Sequence, residues 1–451
     1  MNDITAFFAF LRYSLGKKED MSRVIAGMDW QELYSFASKQ ALLGLCFEGI
    51  ERLGKEYPEE LRLNPIGREL LMTWMGKAQQ IRRQNMKVNT VASKLFSMLR
   101  EDGLRCCVLK GQGNALMYSN PYSRTPGDID VWIDASRERI MEYAQKKFEL
   151  EDDIRLQHLE TSLDGVPVEL HFFPCSMNNP IYHTRLQKWF RRNADLQCSH
   201  IVGLPDEAGD IAIPTTAFNV VYQLTHLYHH FFDEGIGMRQ IIDYFLVVND
   251  FSKNVFLDTD FSNHPVPLSK EGSTFSPSPS SSGSGDVTAP SRCSEPLRSK
   301  DGGPSKVSPD CAGWDRLAIE GDNSAGSTTA VTSSASTALD VVQRELKYLG
   351  LWKFAGAVMY VLHEALGLPE EKMIAPMDEK RGKLLLTEIL NGGNFGKHFT
   401  KYGHFTQQGM AKKYFLKIWR NMHFVRYYPA EALSEPIFRT WHFFWRLKHR
   451  R

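Results

Sequence analysis

Over the first hundred residues, large apolar side chains recur at intervals of three and four. QELYSFASKQALLGLCFEGIERL (31–53) and MKVNTVASKLFSMLRED (86–102) both keep this spacing, which predicts helices with one buried stripe. The period then shortens to two. DIDVWID (128–134) and LETSLDGVPVELHFF (159–173) largely alternate apolar and polar positions, CCVLK (106–110) is a short apolar run, and all three read as strands. Asp164-Gly165 suits the type I′ turn of a hairpin within the third stretch. GQGNALMYSN, between the first two strands, is short and helix-prone, and Ser136 is placed to N-cap a helix over SRERIMEYAQKKFEL. The helical period returns in TTAFNVVYQLTHLYHHFFDEG and GMRQIIDYFLVVND, which break at Gly235 and Gly237.

From about 251 to 338 the periodicity disappears. SPSPSSSGSG and SAGSTTAVTSSAST are polar and low in complexity, too poor in apolar surface to order themselves, so a disordered insertion is expected. Helix resumes at ELKYLGLWKFAGAVMYVLHEALGL. The expected divisions are an N-terminal helical region at 1–84, an α/β core at 85–205, helices at 206–250, the insertion at 251–338, and a helical, basic region at 339–451.

Composition adds little to this picture and charge adds more. The 451 residues are 42% hydrophobic and 24% charged, with a formal net charge of only +1, an ordinary globular balance. The charge is uneven, however: Lys397–Arg451 holds twelve Lys/Arg against two Asp/Glu. That excess suggests an anionic partner, nucleic acid included, or a solvated basic face. Aromatics are interleaved there, in KKYFLKIWRNMHFVRYY and FRTWHFFWRLKHRR. They can stack on bases, lie on an anionic membrane, or pack inward while Lys and Arg reach outward; inward packing is the expectation. Seven irregularly spaced cysteines are no disulfide framework and fit a reducing compartment. The N-terminus lacks the marks of a signal peptide. No uncharged apolar run approaches the roughly 18 residues a spanning helix needs, so a cytoplasmic protein is expected.

The candidate chemistry lies in the second strand. Asp is depleted in strands, yet DIDVWID carries three. Alternation puts Ile129, Val131 and Ile133 on one face and Asp128, Asp130, Trp132 and Asp134 on the other. Asp128 and Asp130 are then about 7 Å apart at the backbone, close enough for their carboxylates to converge on one or two divalent cations. Hard oxygen ligands that leave room for phosphate suit a magnesium–nucleotide site. In VPVELHFF, Glu169 and His171 share a face, and Glu169 joins the aspartates if the two strands are neighbours. Lys110 precedes Gly111, Gln112 and Gly113, a turn able to bring backbone N–H groups to a phosphate. The plainer readings are a Pro-Gly-Asp turn into a strand for the aspartates, and surface salt bridges for Lys110 and Arg124. Asp134 ends the strand or caps the next helix.

LKG at 109–111, Tyr118, Pro121, Arg124, GDID at 127–130 and ELH at 169–171 together resemble the DNA polymerase β-type nucleotidyltransferase superfamily. The nearest likeness is to an uncharacterised bacterial nucleotidyltransferase family with an LKG…R..GDID…E-L/V-H pattern. LTHLYHHFFDEGIGMRQIIDY (224–244) and NGGNFGKH (391–398) are similar as well. The resemblance implies a mainly helical α+β fold with a small mixed-sheet core flanked by N- and C-terminal helices. It implies transfer of a nucleoside monophosphate from NTP, ATP above all, to an acceptor, with release of pyrophosphate. Asp128, Asp130 and Glu169 would hold two Mg²⁺, and Glu169 would also help deprotonate the acceptor hydroxyl. Lys110, Gly111, Gln112 and Arg124 would hold the triphosphate, with Gln112 where the superfamily usually has Ser. The acceptor is left open among small molecules, peptides, proteins and RNA.

Two other functions are compatible with the sequence. One is a catalytically silent relative that binds nucleotide or a partner. The other is a metal phosphohydrolase built on His226, His229, His230 and Asp233, since His226 and His230 lie one helical turn apart. HxxxH alone is weak, and such residues are more often hydrogen-bonded helix side chains. Arg239 and Asp243, at i and i+4, most simply pair within their helix.

Overall fold

The structure is a computed structural model, and the described residues are 4–150, 155–254, 327–398 and 410–449. The chain divides into two compact units, 1–259 with 331–451, and 260–330. The first of these is a mainly helical α+β fold around one small mixed sheet. Within the stretch expected to lack periodicity, helices Met238–Asn254 and Ser327–Tyr348 reach in from either side. Residues 255–326 lie outside the described residues.

The N-terminal region is helical as its spacing predicts. The run at 31–53 forms two helices, Trp30–Lys39 and Leu43–Glu56. Asp29 caps the first by accepting from the backbone N–H of Gln31 and Glu32, and Ala41 makes the break between them in a left-handed conformation (φ 57°). Helix Arg68–Glu101 then runs 34 residues without interruption, across the division expected at 84/85.

Four strands make the sheet: β1 Cys106–Val108, β2 Ile129–Ile133, β3 His158–Leu163 and β4 Val166–His171. Their spatial order is β1-β2-β4-β3. β1 runs antiparallel to β2, β2 parallel to β4, and β3 antiparallel to β4. The β3–β4 turn is Asp164-Gly165, with φ of 51° and 71°, the positive pair a type I′ turn requires. Ser136 accepts from Arg139 N–H and caps helix Arg137–Lys147.

Alternation decides where the cores lie. Ile129, Val131 and Ile133 join Val168 and Leu170 in an apolar layer under helix Arg68–Glu101, packed by Val88, Val91, Leu95 and Leu99. Burying a side chain of this kind stabilises by roughly 1.5–3 kcal/mol, so a one-residue slip of β2, which would exchange its faces, is strongly disfavoured. A larger helical core includes Trp132, which stacks on Phe218 at 6.3 Å and 9°. Cys46, Cys106, Cys107 and Cys175 are buried free thiols, as small core residues should be.

Helix Pro429–His449 departs from the expectation of inward-packed aromatics. Its buried positions include Glu431 and Glu435, while Leu433, Ile437, Trp441 and Phe444 are 53, 74, 50 and 63% exposed. The reason is polar. Glu431 Oε1 accepts from Asn178 N–H at 2.6 Å, and Arg439 pairs with both Glu435 and Asp233. Phe424 and Tyr428, just before this helix, do pack inward.

Burial raises the Glu431 carboxyl to about 7, against the lowering effect of the Asn178 and Asn179 N–H groups. A folded pKa above the unfolded one gives stability that is complete below the unfolded value and lost as pH climbs through about 7. Wild type should therefore gain on Glu431→Gln, by up to about 3 kcal/mol, when thermal unfolding is followed from pH 8 down to pH 5. A pH-independent difference between the two melting temperatures would contradict this.

Candidate active site

Parallel pairing puts Asp130 directly opposite Glu169, and Asp128 sits one pleat before Asp130 on the same face. One carboxylate oxygen from each of the three lies within 4.8 Å of the others. The expected convergence across two strands is thus the arrangement found. Asp130 is 2% exposed and its Oδ2 has no hydrogen-bond partner. An unpaired buried carboxylate oxygen is costly, so this atom is oriented for a ligand that carries positive charge. The donor set, all hard oxygen, fits Mg²⁺.

Two groups partly compensate the negative charge. Lys110 Nζ lies 3.1 Å from Asp130 Oδ1. Burial lowers its pKa, but Asp130, Asp128 and Glu169 outweigh burial and raise it. His171 Nε2 donates to Asp130 Oδ1 and to Glu169 Oε2, each at 3.1 Å. Burial disfavours its imidazolium form, and the two carboxylates overcome that to lift the ring to about 9. Glu169 responds in reverse: burial raises it, and the His171 hydrogen bond brings it below its usual range.

A narrow cleft opens beside these groups. The sheet side contributes Lys110, Gly111, Asp128 and Asp130; helices Thr216–Asp233 and Met238–Asn254 contribute Tyr222, His226, Arg239 and Asp243. Gly111 takes φ 64°, a left-handed value that turns the chain sharply after Lys110 and that glycine adopts without strain. Gln112, expected at a phosphate, instead donates its side-chain amide to Asn89 on helix Arg68–Glu101 and does not line the cleft.

Arg124 lines the cleft, but its main engagement is a buried ion pair. Nε and Nη2 reach the two oxygens of Asp243 at 2.8 Å each, and Tyr118 OH donates to the same carboxylate at 2.8 Å. This corrects the expected Arg239–Asp243 pair within one helix. The planar guanidinium of Arg124 meets Asp243 as a fork, and Arg239 turns to Thr125 O at 3.0 Å. Arg124 Nη1 and Arg239 Nε have no hydrogen-bond partner. The loop bearing Arg124 is clamped by Asn85, whose Nδ2 donates to Arg124 O at 2.8 Å, and by Gly44, where a Cβ would lie 2.3 Å from Ser123 O.

The histidines of helix Thr216–Asp233 join this wall rather than a metal cluster of their own. Among the described residues, the groups of three or more metal-capable side chains are Asp128–Asp130–Glu169 and His158–Glu169–His171. His226 Nε2 lies 3.0 Å from Lys110 Nζ and 3.2 Å from His230 Nε2. Burial, then the charge of Lys110, holds His226 well below its usual pKa, so it is neutral and accepts from the ammonium. Asp233 faces Lys417 and Arg439 at 2.8 and 3.0 Å. Asp134 pairs with Arg105 and takes no part in the site.

Sequence reasoning missed the place of Asp243 in the cleft and its pairing with Arg124, and it did not single out Phe395 or His158. Phe395 lines the cleft with φ 54°, and its ring lies 5.6 Å from the Arg239 guanidinium. A bulky residue in the left-handed region is a true outlier of the kind that gathers at functional sites. His158 was findable: the two-residue turn fixes a register in which His158 stands opposite His171.

Residues 26–261, just over half of the chain, match the family described as "Uncharacterised nucleotidyltransferase". No curated protein and no solved structure matches the chain. No helix among the described residues is long and apolar enough to cross a membrane.

Asp243→Ala strands the Arg124 charge in a site only 5% exposed. It should cost about 3–5 kcal/mol, whereas replacing the pair together with Asp243→Leu and Arg124→Met should recover a large part of the loss. Urea unfolding of the two variants beside wild type measures both; equal losses would contradict the pairing.

Proposed function

The chain belongs to the uncharacterised nucleotidyltransferase family, and from that premise we propose that it moves a nucleoside monophosphate from an NTP to an acceptor hydroxyl or phosphate, releasing pyrophosphate. The observation that supports this reading best is the meeting of three carboxylates, two of which line a cleft that Arg124 and Arg239 line as well. Asp128, Asp130 and Glu169 would hold Mg²⁺, two ions in the full complex, with Asp130 Oδ2 as the atom most in need of one. Bound Mg²⁺ supplies Lewis acidity and a clamp on the entering and leaving oxygens.

The remaining work falls to the chain's own side chains, and it is mostly positioning and charge. Lys110, Arg239 and the free Nη1 of Arg124 take the oxygens of the triphosphate, for which ATP is the expected donor. Gly111 lets backbone come close to a phosphate at the turn. Glu169, partly exposed and already held by His171, is placed to receive the acceptor's proton. The helices and Phe395 restrict water. The acceptor belongs to a class that labelling must reveal, whether small molecule, peptide, protein or RNA, the last favoured if the basic C-terminus contacts nucleic acid.

The test is incubation of the full chain with Mg²⁺, each α-labelled NTP in turn, and fractions of a cell lysate. Wild type should transfer label and release pyrophosphate. Asp128→Asn and Asp130→Asn should each lose about three orders of magnitude, corresponding to about 4 kcal/mol of transition-state stabilisation, with circular dichroism unchanged. Nucleotide binding without label transfer in any fraction would favour the silent-relative reading. Label transfer that survives in both variants would remove the carboxylates from the mechanism.

A further inference from the structure

Behind the three carboxylates, on the same face of the sheet, lies a second cluster. His158 on β3 stands opposite His171 on β4, and their rings are 5.0 Å apart. One ligand atom each from His158, Glu169 and His171 falls within 4.8 Å of the others. Glu169 Oε2 is 3.4 Å from His158 Nδ1 and 3.1 Å from His171 Nε2. This cluster is deeply enclosed: His158 is 9% exposed and His171 2%.

The unusual feature is His158. Neither of its ring nitrogens makes a hydrogen bond, although the residue is nine-tenths buried. Buried polar groups are almost always satisfied, and leaving one unmade costs about 1–3 kcal/mol. Its nearest polar neighbours are Glu169 at 3.4 Å and Glu160 at 3.6 Å, both beyond a good hydrogen bond. His171, by contrast, is fixed from behind. Gln157 Nε2 lies 3.3 Å from its Nδ1 and donates to Pro174 O at 3.1 Å, so the ring rests against an amide that is itself held in place.

We propose that His158, Glu169 and His171 form a binding site for a nitrogen-preferring divalent cation such as Zn²⁺ or Co²⁺, distinct from the all-oxygen Mg²⁺ set and joined to it through Glu169. Two imidazoles and one carboxylate are a common donor set for such ions, whereas Mg²⁺ prefers oxygen and keeps its waters. Loading places the cation where His171 Nε2–H now donates to Asp130 and Glu169; that proton leaves to solvent, and the Nε2 lone pair takes the metal. Burial leaves little room for substrate, so the ion acts by holding Glu169 in place.

The inference shares Glu169 with the proposed catalytic set but does not rest on nucleotidyl transfer, and its test reads metal alone. The full chain is stripped with a chelator and dialysed against Zn²⁺ in a large excess of Mg²⁺, with Co²⁺ absorption as a second readout. Wild type should retain one Zn²⁺ equivalent that Mg²⁺ does not displace and should give visible Co²⁺ bands. His158→Ala, or His158→Gln if the alanine variant unfolds, should weaken that equivalent by more than roughly tenfold; Asp128→Asn should keep it. Undiminished Zn²⁺ binding in the His158 variants, displacement by Mg²⁺, or loss of the ion in Asp128→Asn would each overturn the assignment.

Discussion

The site depends on one pairing, the parallel register of β2 on β4 that sets Asp130 against Glu169. With Asp128 one pleat away, three carboxylates meet where water is scarce. Two like charges about 5 Å apart repel by roughly 3 kcal/mol at an effective dielectric near 20, and three such pairs exist here. Nothing in the polar face would choose this arrangement. The opposite face imposes it, because Ile129, Val131, Val168 and Leu170 can reach the layer under helix Arg68–Glu101 only in this register. Lys110 and His171 then supply the countercharge that keeps the face from splaying. Apolar packing holds the carboxylates together, and a bound cation would relieve the repulsion between them.

The helical wall is tied to the sheet by charges that are themselves buried. Arg124 leaves the loop before β2 and closes on Asp243 of helix Met238–Asn254, while Lys110 leaves β1 and meets the neutral His226 of helix Thr216–Asp233. Buried pairs of this kind stabilise little beyond an apolar substitute, but breaking one side is severe. They fix the distance between the cationic wall and the carboxylates, a quantity that apolar contacts alone would leave softer. Phe395 extends the wall from well beyond residue 261, so the C-terminal region completes a cleft that the family-matching residues begin.

Much of this was legible in the sequence, for reasons that are local. Alternation in DIDVWID and VPVELHFF determined which side chains share a face, and Asp164-Gly165 determined the hairpin register down to His158 opposite His171. What escaped was choice among partners distant in the chain. Arg239 lies one turn from Asp243, yet Arg124 takes that carboxylate from more than a hundred residues away, because its fork geometry and Tyr118 satisfy both oxygens. Gln112 follows the phosphate-binding turn in sequence but finds Asn89 first. Helix Pro429–His449 reads as amphipathic with an apolar inner face, and it is turned over because Glu431 has backbone donors to meet.

That inverted helix bears on the chemistry through a continuous set of contacts. Glu431 holds the N–H groups of Asn178 and Asn179, at the end of the loop that follows β4. Earlier in the same loop, Pro174 O and Ser176 Oγ fix both ends of the Gln157 amide. Gln157 backs the ring of His171, and His171 bridges Asp130 and Glu169. A carboxyl some 260 residues from Glu169 and some 300 from Asp130 in sequence thus helps orient them, through hydrogen bonds and the backbone of residues 174–178. Such a relay transmits position only while every member is satisfied. This gives a polar reason for a helix that buries two glutamates while Ile437 and Trp441 stay exposed: the inward position of Glu431 supplies acceptors to the loop behind the site.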